Sequence, residues 1–261
     1  MAQEISLYQV DAFTSEVFGG NPAAICPLEA WLDDALLQSI AAENNLSETA
    51  FFVRDGDDFH LRWFTPGAEV DLCGHATLAT SYVISTYLEP GRDLIGFQSK
   101  SGRLEVTRNG DLYTLDFPVL KSEVVECPQL LRDALKIEVV GTLDGMDMIA
   151  LVRDAAAVRD LKPDIGRIAE LDTRGLIVTA RGDDCDFVSR FFAPKQGVPE
   201  DPVTGSAHCL LAPLWAEKLG KTKMTARQLS ARGGELIVEL KGDRVLISGR
   251  AAPYMIGTIT V

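Results

Sequence analysis

Alternating apolar and polar residues predict short strands in the first half of the chain. The predicted strands are Ile5–Val10, Glu48–Val53, His60–Thr65, Phe97–Val106 and Leu112–Phe117. Leucine and isoleucine residues at helical spacing predict an amphipathic helix over Trp31–Glu43. A second predicted helix, Gly74–Leu88, is rich in small and apolar residues, so we expect it to be buried on most faces.

The second half of the chain repeats this order of elements. Its predicted strands lie near Ile149 and at Leu176–Ala180, Asp186–Phe192, Glu235–Leu240 and Arg244–Ser248. One long helix is predicted at Gly205–Leu219. Because helices and strands do not alternate regularly, the pattern indicates an α+β fold rather than a doubly wound parallel sheet. We expect each half to be a strongly curved, mostly antiparallel sheet around its central helix.

Two short motifs occur twice in the chain. Arg62–Pro66 reads Arg-Trp-Phe-Thr-Pro, and Arg190–Pro194 reads Arg-Phe-Phe-Ala-Pro. A predicted helix opening follows each copy, at Cys73–Ala76 in the first half and at Thr204–Ala207 in the second. The separation between matching motifs grows only slowly along the chain, as loop insertions would cause. The repeated motifs therefore indicate that the chain consists of two copies of one domain.

The division into domains follows from this repeat. We place the first repeat domain at residues 1–118 and the second at 119–261, with a linker around 121–128. The last predicted strand, 254–261, has no counterpart at the end of the first copy. It is a candidate to pack back on the first domain.

Composition excludes several classes of protein. The chain has 261 residues, of which 46% are hydrophobic and 24% charged, as in ordinary soluble globular proteins. It contains no apolar run of the roughly 20 residues that a membrane helix needs and no signal-peptide pattern, so we expect a cytoplasmic protein. A net charge of −13 disfavours nucleic acid and anionic membranes as partners. The five cysteines lack paired spacing and are expected to be free thiols.

The two helix openings are candidate binding sites for a small anion. Unpaired backbone N–H groups and the helix dipole attract negative charge at a helix N-terminus. Gly74 and Gly205 would let a ligand approach the backbone closely. The alternative is that both glycines only permit tight packing of each helix against its sheet. The duplication favours the binding interpretation.

Several motifs together resemble the phenazine-biosynthesis PhzF-like family. They occur in the family's order and cover nearly the whole chain: Asp11–Thr14, Gly20–Ala24, Asn45–Phe51, Asp71–Thr77 and Asp201–Ala207. The family shares its fold with diaminopimelate epimerase and proline racemase, which consist of two pseudo-symmetric domains around a cleft. The resemblance implies an isomerase or epimerase that needs no cofactor. It also favours a homodimer.

The resemblance also raises the question of which residue acts as the base. In the two-base relatives a cysteine precedes the glycine of each helix opening, but here the second position is Thr204. A threonine hydroxyl cannot act as a base near neutral pH, so the symmetric mechanism with two thiols is excluded. The family's general acid/base matches Glu48. The alternative is that Glu48 is a solvated glutamate at a turn.

Further site residues are implied by the same match. With Glu48, the expected catalytic residues are His75 and Asp201. Expected substrate-binding residues are Asn21, Ser47, Cys73, Gly74, Thr204, Gly205 and Ser206. We expect His75 to be neutral because it lies in the first turn of its helix, where the dipole disfavours protonation. Each of these residues also has a structural alternative: packing for His75, a turn or helix cap for Asp201, and turn geometry for Asn21.

Three functions remain in competition. The leading hypothesis is proton abstraction and return by Glu48 on a small amino-acid-like or cyclic carboxylic acid bound between the domains. A non-catalytic carboxylate-binding protein on the same scaffold is the second. A serine hydrolase using Ser206, with Asp201 and either His75 or His208, is the third, but the Gly-x-Ser-x-Gly motif is missing. We expect no metal site, since no group of His, Cys and Asp residues has ligand spacing.

Overall fold

The strands and helices of this computed structural model, which describes residues 3–261, belong to two units. The first unit comprises the chain up to Asp116 together with Ser248–Val261, and the second comprises Phe117–Ile247. The C-terminal segment thus lies in the first unit, and the chain passes into the second unit two residues before the end of β8. Within residues 3–261, no helix has the length and apolar character needed to cross a membrane.

The first unit contains a curved, mostly antiparallel sheet. Its strands are β1 (Glu4–Ala12), β2 (Asn21–Leu28), β3 (Glu48–Asp55), β4 (Asp58–Phe64), β5 (Glu69–Val70), β6 (Leu94–Ser99), β7 (Gly102–Asn109), β8 (Leu112–Pro118) and the C-terminal β18 (Ala251–Thr260). β1 pairs antiparallel with both β18 and β2. β2 runs parallel to β3, which pairs antiparallel with β4. β4 pairs antiparallel with β5 and parallel with β6, and β7 pairs antiparallel with both β6 and β8.

Two helices complete the first unit, α1 (Asp34–Asn44) and α2 (Gly74–Val83), and a π-helical turn, Ile84–Leu88, extends α2. α2 is buried along nearly its whole length although it contains several hydroxyl side chains. Thr77, Thr80 and Ser81 each donate to the carbonyl oxygen four residues earlier, at 2.5, 2.7 and 2.8 Å. Because these hydroxyls are satisfied inside the helix, they do not oppose the burial of α2.

The second unit has strands in a corresponding order. They are β9 (Ser122–Val125), β10 (Val139–Gly145), β11 (Met148–Val152), β12 (Leu176–Arg181), β13 (Phe187–Ala193), β14 (Val198–Asp201), β15 (Lys223–Gln228), β16 (Gly234–Lys241) and β17 (Arg244–Gly249). Its helices are α3 (Gln129–Leu135), α4 (Ala155–Arg159), α5 (Ile165–Glu170) and the long α6 (Gly205–Leu219), with a 3₁₀ turn at Pro194–Gln196.

The pairing of these strands repeats that of the first unit. β10 pairs antiparallel with β11, β11 parallel with β12 and β12 antiparallel with β13. β13 then pairs antiparallel with the short β14 and parallel with β15, and α6 lies between these two in the chain, as α2 lies between β5 and β6. The α+β class is confirmed, and each unit carries the same succession of pairings.

Several predicted boundaries are wrong. The first helix starts at Asp34, not Trp31, because the Asp33 carboxylate caps it by accepting from the Ala35 N–H. The predicted strand Phe97–Val106 is a hairpin of β6 and β7. The turn lies between Ser99 and Gly102, and Gly102 has a φ of +93°. The expected linker at 121–128 contains β9. The short helices α3, α4 and α5 were not predicted, and their apolar residues pack against the sheet of the second unit.

Candidate active site

Glu48 and His75 lie next to each other in the first unit. Glu48 is the first residue of β3, opposite Ala23 of β2, and His75 is the second residue of α2. The His75 Nε2 atom is 3.1 Å from the Glu48 Oε2 atom, and the two side chains are 6% and 18% exposed. Neither atom has a hydrogen-bond partner of good geometry, so this contact is an ion pair rather than a directed hydrogen bond. The partial burial of Glu48 disfavours its interpretation as a freely solvated turn residue.

The second ring nitrogen of His75, Nδ1, contacts two more of the predicted residues. His75 Nδ1 is 3.1 Å from Asn21 Nδ2 and 3.5 Å from Cys73 Sγ. Asn21 is fully buried at the start of β2, directly after Gly20 at φ +61°. Both ring nitrogens of His75 are therefore held by neighbouring side chains. The structure brings Asn21, Glu48, Cys73 and His75 together, as the family resemblance implied.

The pKa of His75 is shifted upwards, which favours the protonated ring and runs against the sequence-based expectation of a neutral one. Burial by itself lowers the pKa of His75, but its interactions with the Cys73 and Glu48 side chains outweigh burial and raise that pKa well above its usual value. Burial, and then the charge of Glu48, raises the pKa of the Cys73 thiol to about 11. Because this thiol is uncharged near neutral pH, Glu48 supplies the negative charge beside the imidazole. The expectation considered only the helix dipole and missed this carboxylate.

Ser47 and Gly74 are sequence neighbours of Glu48 and His75. Ser47 is half-buried directly before Glu48, and Gly74 is the half-buried first residue of α2. Cys73 is the N-cap of α2 with an extended backbone, at φ −144° and ψ 112°, and its side chain makes no capping hydrogen bond. Cys73 thus borders the helix opening without satisfying its N–H groups.

Three side chains of the first unit form a possible metal site that the sequence did not show. One ligand atom each from Glu48, Cys73 and His75 lies within 4.8 Å of the others. Sulfur, imidazole nitrogen and carboxylate oxygen together suit an ion such as Zn²⁺. Ligand spacing in the sequence could not reveal this group, because β3 and α2 bring Glu48 to the Cys73–His75 pair only in the folded chain.

Asp201, Thr204 and Gln228 form a hydrogen-bonded group in the second unit. Thr204 is the N-cap of α6 at φ −116° and ψ 107°, close to the conformation of Cys73. Its hydroxyl donates to Asp201 Oδ2 at 2.5 Å. The fully buried Gln228 accepts from the Thr204 N–H at 2.9 Å and donates to the Asp201 carbonyl at 2.8 Å. Sequence reasoning missed Gln228, which belongs to no repeated motif.

Ser206 and Gly205 open helix α6, and Ser206 contacts an arginine that the sequence did not single out. The Ser206 hydroxyl oxygen accepts from Arg174 Nη2 at 3.0 Å. Arg174 also donates to both carboxylate oxygens of Asp147, at 2.8 and 2.6 Å. Arg174 and Asp147 lie in two different turns, so no periodicity or motif links them.

His208 is not placed to activate Ser206. It is fully buried, and its Nδ1 atom is 2.8 Å from the Thr204 carbonyl oxygen, one helical turn earlier. Burial lowers the pKa of His208 to about 4. His208 Nε2 has no hydrogen-bond partner among residues 3–261. The version of the serine hydrolase hypothesis that used His208 is therefore wrong.

Comparison with known proteins gives the same family along the whole chain. The model of the PhzC-PhzF family, described as phenazine biosynthesis-like proteins, matches residues 10–257. An uncharacterized isomerase from Pseudomonas aeruginosa is 52% identical over 98% of this chain and 99% of its own length. A PhzF-family phenazine biosynthesis protein from Enterococcus faecalis has a crystal structure with a TM-score of 0.98 at 45% identity, covering 99% of this chain and 100% of that one.

A more distant structure extends the likeness at the level of the fold. A hydroxyproline epimerase from Agrobacterium vitis matches with a TM-score of 0.64 at 15% identity, over 98% of this chain and 91% of that one. Members of the family and proteins of the epimerase fold therefore share this architecture. The chain belongs to the PhzC-PhzF, phenazine biosynthesis-like family, and it is an isomerase.

Proposed function

We propose that this isomerase moves a proton between positions or faces of a small amino-acid-like or cyclic carboxylic acid, with Glu48 as the group that takes and returns it. The C–H bond of the substrate breaks, the proton passes to the Glu48 carboxylate, and the electron pair stays in the conjugated system of the substrate. Return of the proton to another carbon or to the opposite face completes the reaction. Substrate and product then have the same composition.

The placement of Glu48 is the observation that carries this proposal. Its Oε2 atom is buried against the His75 imidazole, while 18% of the Glu48 side chain is exposed. A carboxylate held on one side and open on the other is suited to meet a ligand in a fixed orientation. We assign positioning of Glu48 to His75, which Asn21 and Cys73 hold in turn. Asp201 stays a predicted catalytic residue.

Deuterium exchange tests the proposal. Candidate amino and hydroxy acids are incubated with the protein in deuterated water, and incorporation at carbon is followed by NMR. We expect Glu48→Gln to slow exchange at least about a hundredfold, as loss of a general acid/base does. Glu43→Gln is the matched control, since Glu43 is exposed at the end of α1. Exchange should also persist after dialysis against EDTA.

Two results would contradict the proposal. Full exchange by the Glu48→Gln variant would show that another group is the base. Binding of acids without exchange of any of them would favour the alternative function of a carboxylate-binding protein.

A further inference from the structure

Arg174 combines exposure with a fixed orientation. Its side chain is 41% exposed, yet the carboxylate of Asp147 accepts from its Nε and Nη2 atoms, and that carboxylate is fully buried. The guanidinium also lies over the ring of Phe191, at 5.9 Å from the ring centroid. A paired and stacked guanidinium has few alternative orientations, so little entropy is lost when it binds a further group.

The turns that carry this pair are themselves tightly held. The Met148 N–H, which follows Asp147, donates to both the Gly175 carbonyl and the Thr173 hydroxyl, at 2.9 and 3.1 Å. A Cβ atom at Gly175 would lie 2.4 Å from Phe191 Cζ and 3.0 Å from Asp147 Oδ1. The close packing of Gly175 thus keeps Asp147 and Phe191 in contact with Arg174.

Stability alone is a weak explanation for this arrangement. Burying a carboxylate costs free energy that an ion pair often fails to return, and apolar side chains can fill such a space as well. Arg174 Nη1 makes no hydrogen bond to any protein atom within residues 3–261, and Nη2 reaches Ser206 at the opening of α6. Both Nη2 donors are thus used by Asp147 and Ser206, and the two Nη1 donors are available to a ligand.

The charge of the whole molecule makes local attraction important for binding an anion. At a net charge of −13 the protein as a whole repels an anion, so attraction must come from nearby groups. We propose that Arg174 binds the carboxylate of a small organic acid through its two Nη1 donors, with Ser206 beside it and Asp147 as the positioning residue.

Binding of benzoate and of its uncharged analogue benzamide tests the role of Arg174. Both are titrated into the full-length protein by calorimetry. We expect the wild type to prefer benzoate, and Arg174→Gln to reduce that preference roughly ten- to hundredfold, as loss of a charge-assisted hydrogen bond does. Arg174→Lys should fall between, since lysine keeps the charge but loses the planar fork. Arg153→Gln is the control, because Arg153 pairs with Glu138 where both side chains are mostly exposed, at 71% and 64%.

A second variant distinguishes loss of benzoate binding from loss of folding. Arg174→Gln leaves the buried Asp147 without its partner, so the double variant with Asp147→Asn removes both charges, and thermal unfolding shows whether each protein is folded. Asp147→Asn alone should weaken benzoate binding and leave benzamide binding unchanged. Absence of benzoate binding to the wild type, or an unchanged preference in a folded Arg174→Gln variant, would overturn the inference.

The two proposals fail in different ways. Deuterium exchange that depends on Glu48, together with benzoate binding that does not depend on Arg174, would overturn only the assignment of Arg174. Benzoate binding that depends on Arg174, without exchange of any acid, would overturn only the proposed catalysis.

Discussion

The histidines of α2 and α6 show how local contacts set charge at single residues. His75 contacts the Glu48 carboxylate, and its pKa is raised; the fully buried His208 contacts the Thr204 carbonyl oxygen and the Phe187 ring, and burial lowers its pKa. The stabilisation from charged His75 is fully present below its unfolded-state pKa near 6.5 and is lost as pH rises through the raised folded value. For His208 the sign is opposite, because folding disfavours its protonation.

His208 should make the protein sensitive to acid. Its pKa falls from 6.5 in the unfolded chain to about 4 in the folded one, so its contribution is present above pH 6.5 and is lost as pH falls towards 4. At 1.36 kcal/mol per unit this amounts to about 3 kcal/mol of unfolding free energy. Urea unfolding at pH 7 and pH 4 measures it, and His208→Gln should lessen the difference between the two pH values by that amount. An unchanged difference would contradict a neutral buried His208.

Cys73 should be dispensable for proton transfer. Its thiol, with a pKa near 11, is uncharged at neutral pH, and its contact with His75 Nδ1 is long, at 3.5 Å. We expect Cys73→Ser to keep the rate of deuterium exchange within about tenfold of the wild type, since one weak hydrogen bond contributes no more than this. Measurement beside Glu48→Gln gives the comparison. A complete loss in Cys73→Ser would mean that the base has been wrongly assigned.

The individual site residues were predictable to different degrees. Asn21, Glu48, Cys73 and His75 were identified through motifs, but their mutual contacts depend on tertiary structure, so the direction of the pKa shift of His75 was predicted wrongly. Arg174 could not be found, because its partner Asp147 lies in a distant turn and neither residue belongs to a motif.

At the scale of elements, the turn before β2 controls the position of Asn21. Gly20 has φ +61°, and a Cβ atom there would lie 2.1 Å from the Ala12 carbonyl oxygen, a backbone atom that cannot easily move. Gly56 has nearly the same φ, +59°, with nothing within 4 Å of the corresponding position. A substitution at Gly56 therefore tests backbone strain alone, whereas a substitution at Gly20 tests backbone strain together with steric overlap.

Alanine at these two positions should have unequal effects. Gly56→Ala should cost about 1–2 kcal/mol of unfolding free energy for the left-handed backbone alone. Gly20→Ala should cost about 2–5 kcal/mol, because overlap adds to the strain, and should also reduce exchange by displacing Asn21. Chemical denaturation of both variants measures the difference. Equal losses would indicate that the Ala12 backbone yields freely.

Elements were predicted well where their ends carry a local signal. The bounds of α6 were correct, because Gly205 opens the helix and Gly220, in a left-handed conformation, ends it. The turn within Phe97–Val106 was missed, although Ser101-Gly102 marks it, since both flanking strands continue the same apolar alternation. For α1, the cap at Asp33 overrode the apolar pattern that begins at Trp31.

At the scale of the whole molecule, the C-terminal strand completes the sheet of the first unit. β18 pairs with β1 from Glu4↔Thr260 to Ala12↔Ala251, and the Phe13 N–H donates to the Arg250 carbonyl at 2.8 Å. These contacts join the two ends of the chain. The sequence suggested this return through the missing counterpart of 254–261, but it could not show which strand would receive it.

Removal of residues 251–261 should unfold the first unit. β1 would lose a complete antiparallel partner, and its unpaired edge would favour aggregation. Tryptophan fluorescence during thermal unfolding measures this, since Trp31 and Trp63 lie in the first unit. Ile256→Thr is the control: Ile256 is 58% exposed, and its substitution should change stability by no more than about 0.5 kcal/mol. A truncated chain that unfolds at the wild-type temperature would contradict this role of β18.

The same strand sets an order for folding during synthesis. β1 is translated before β18, so one edge of β1 has no partner until residues 251–260 have been made. Residues 117–247 form a continuous stretch, so the second unit can complete its strand pairing before the first unit does, although it is made later than β1. The first unit therefore cannot be completed before the second has been translated, and the nascent chain must keep an open strand edge from aggregating during that time.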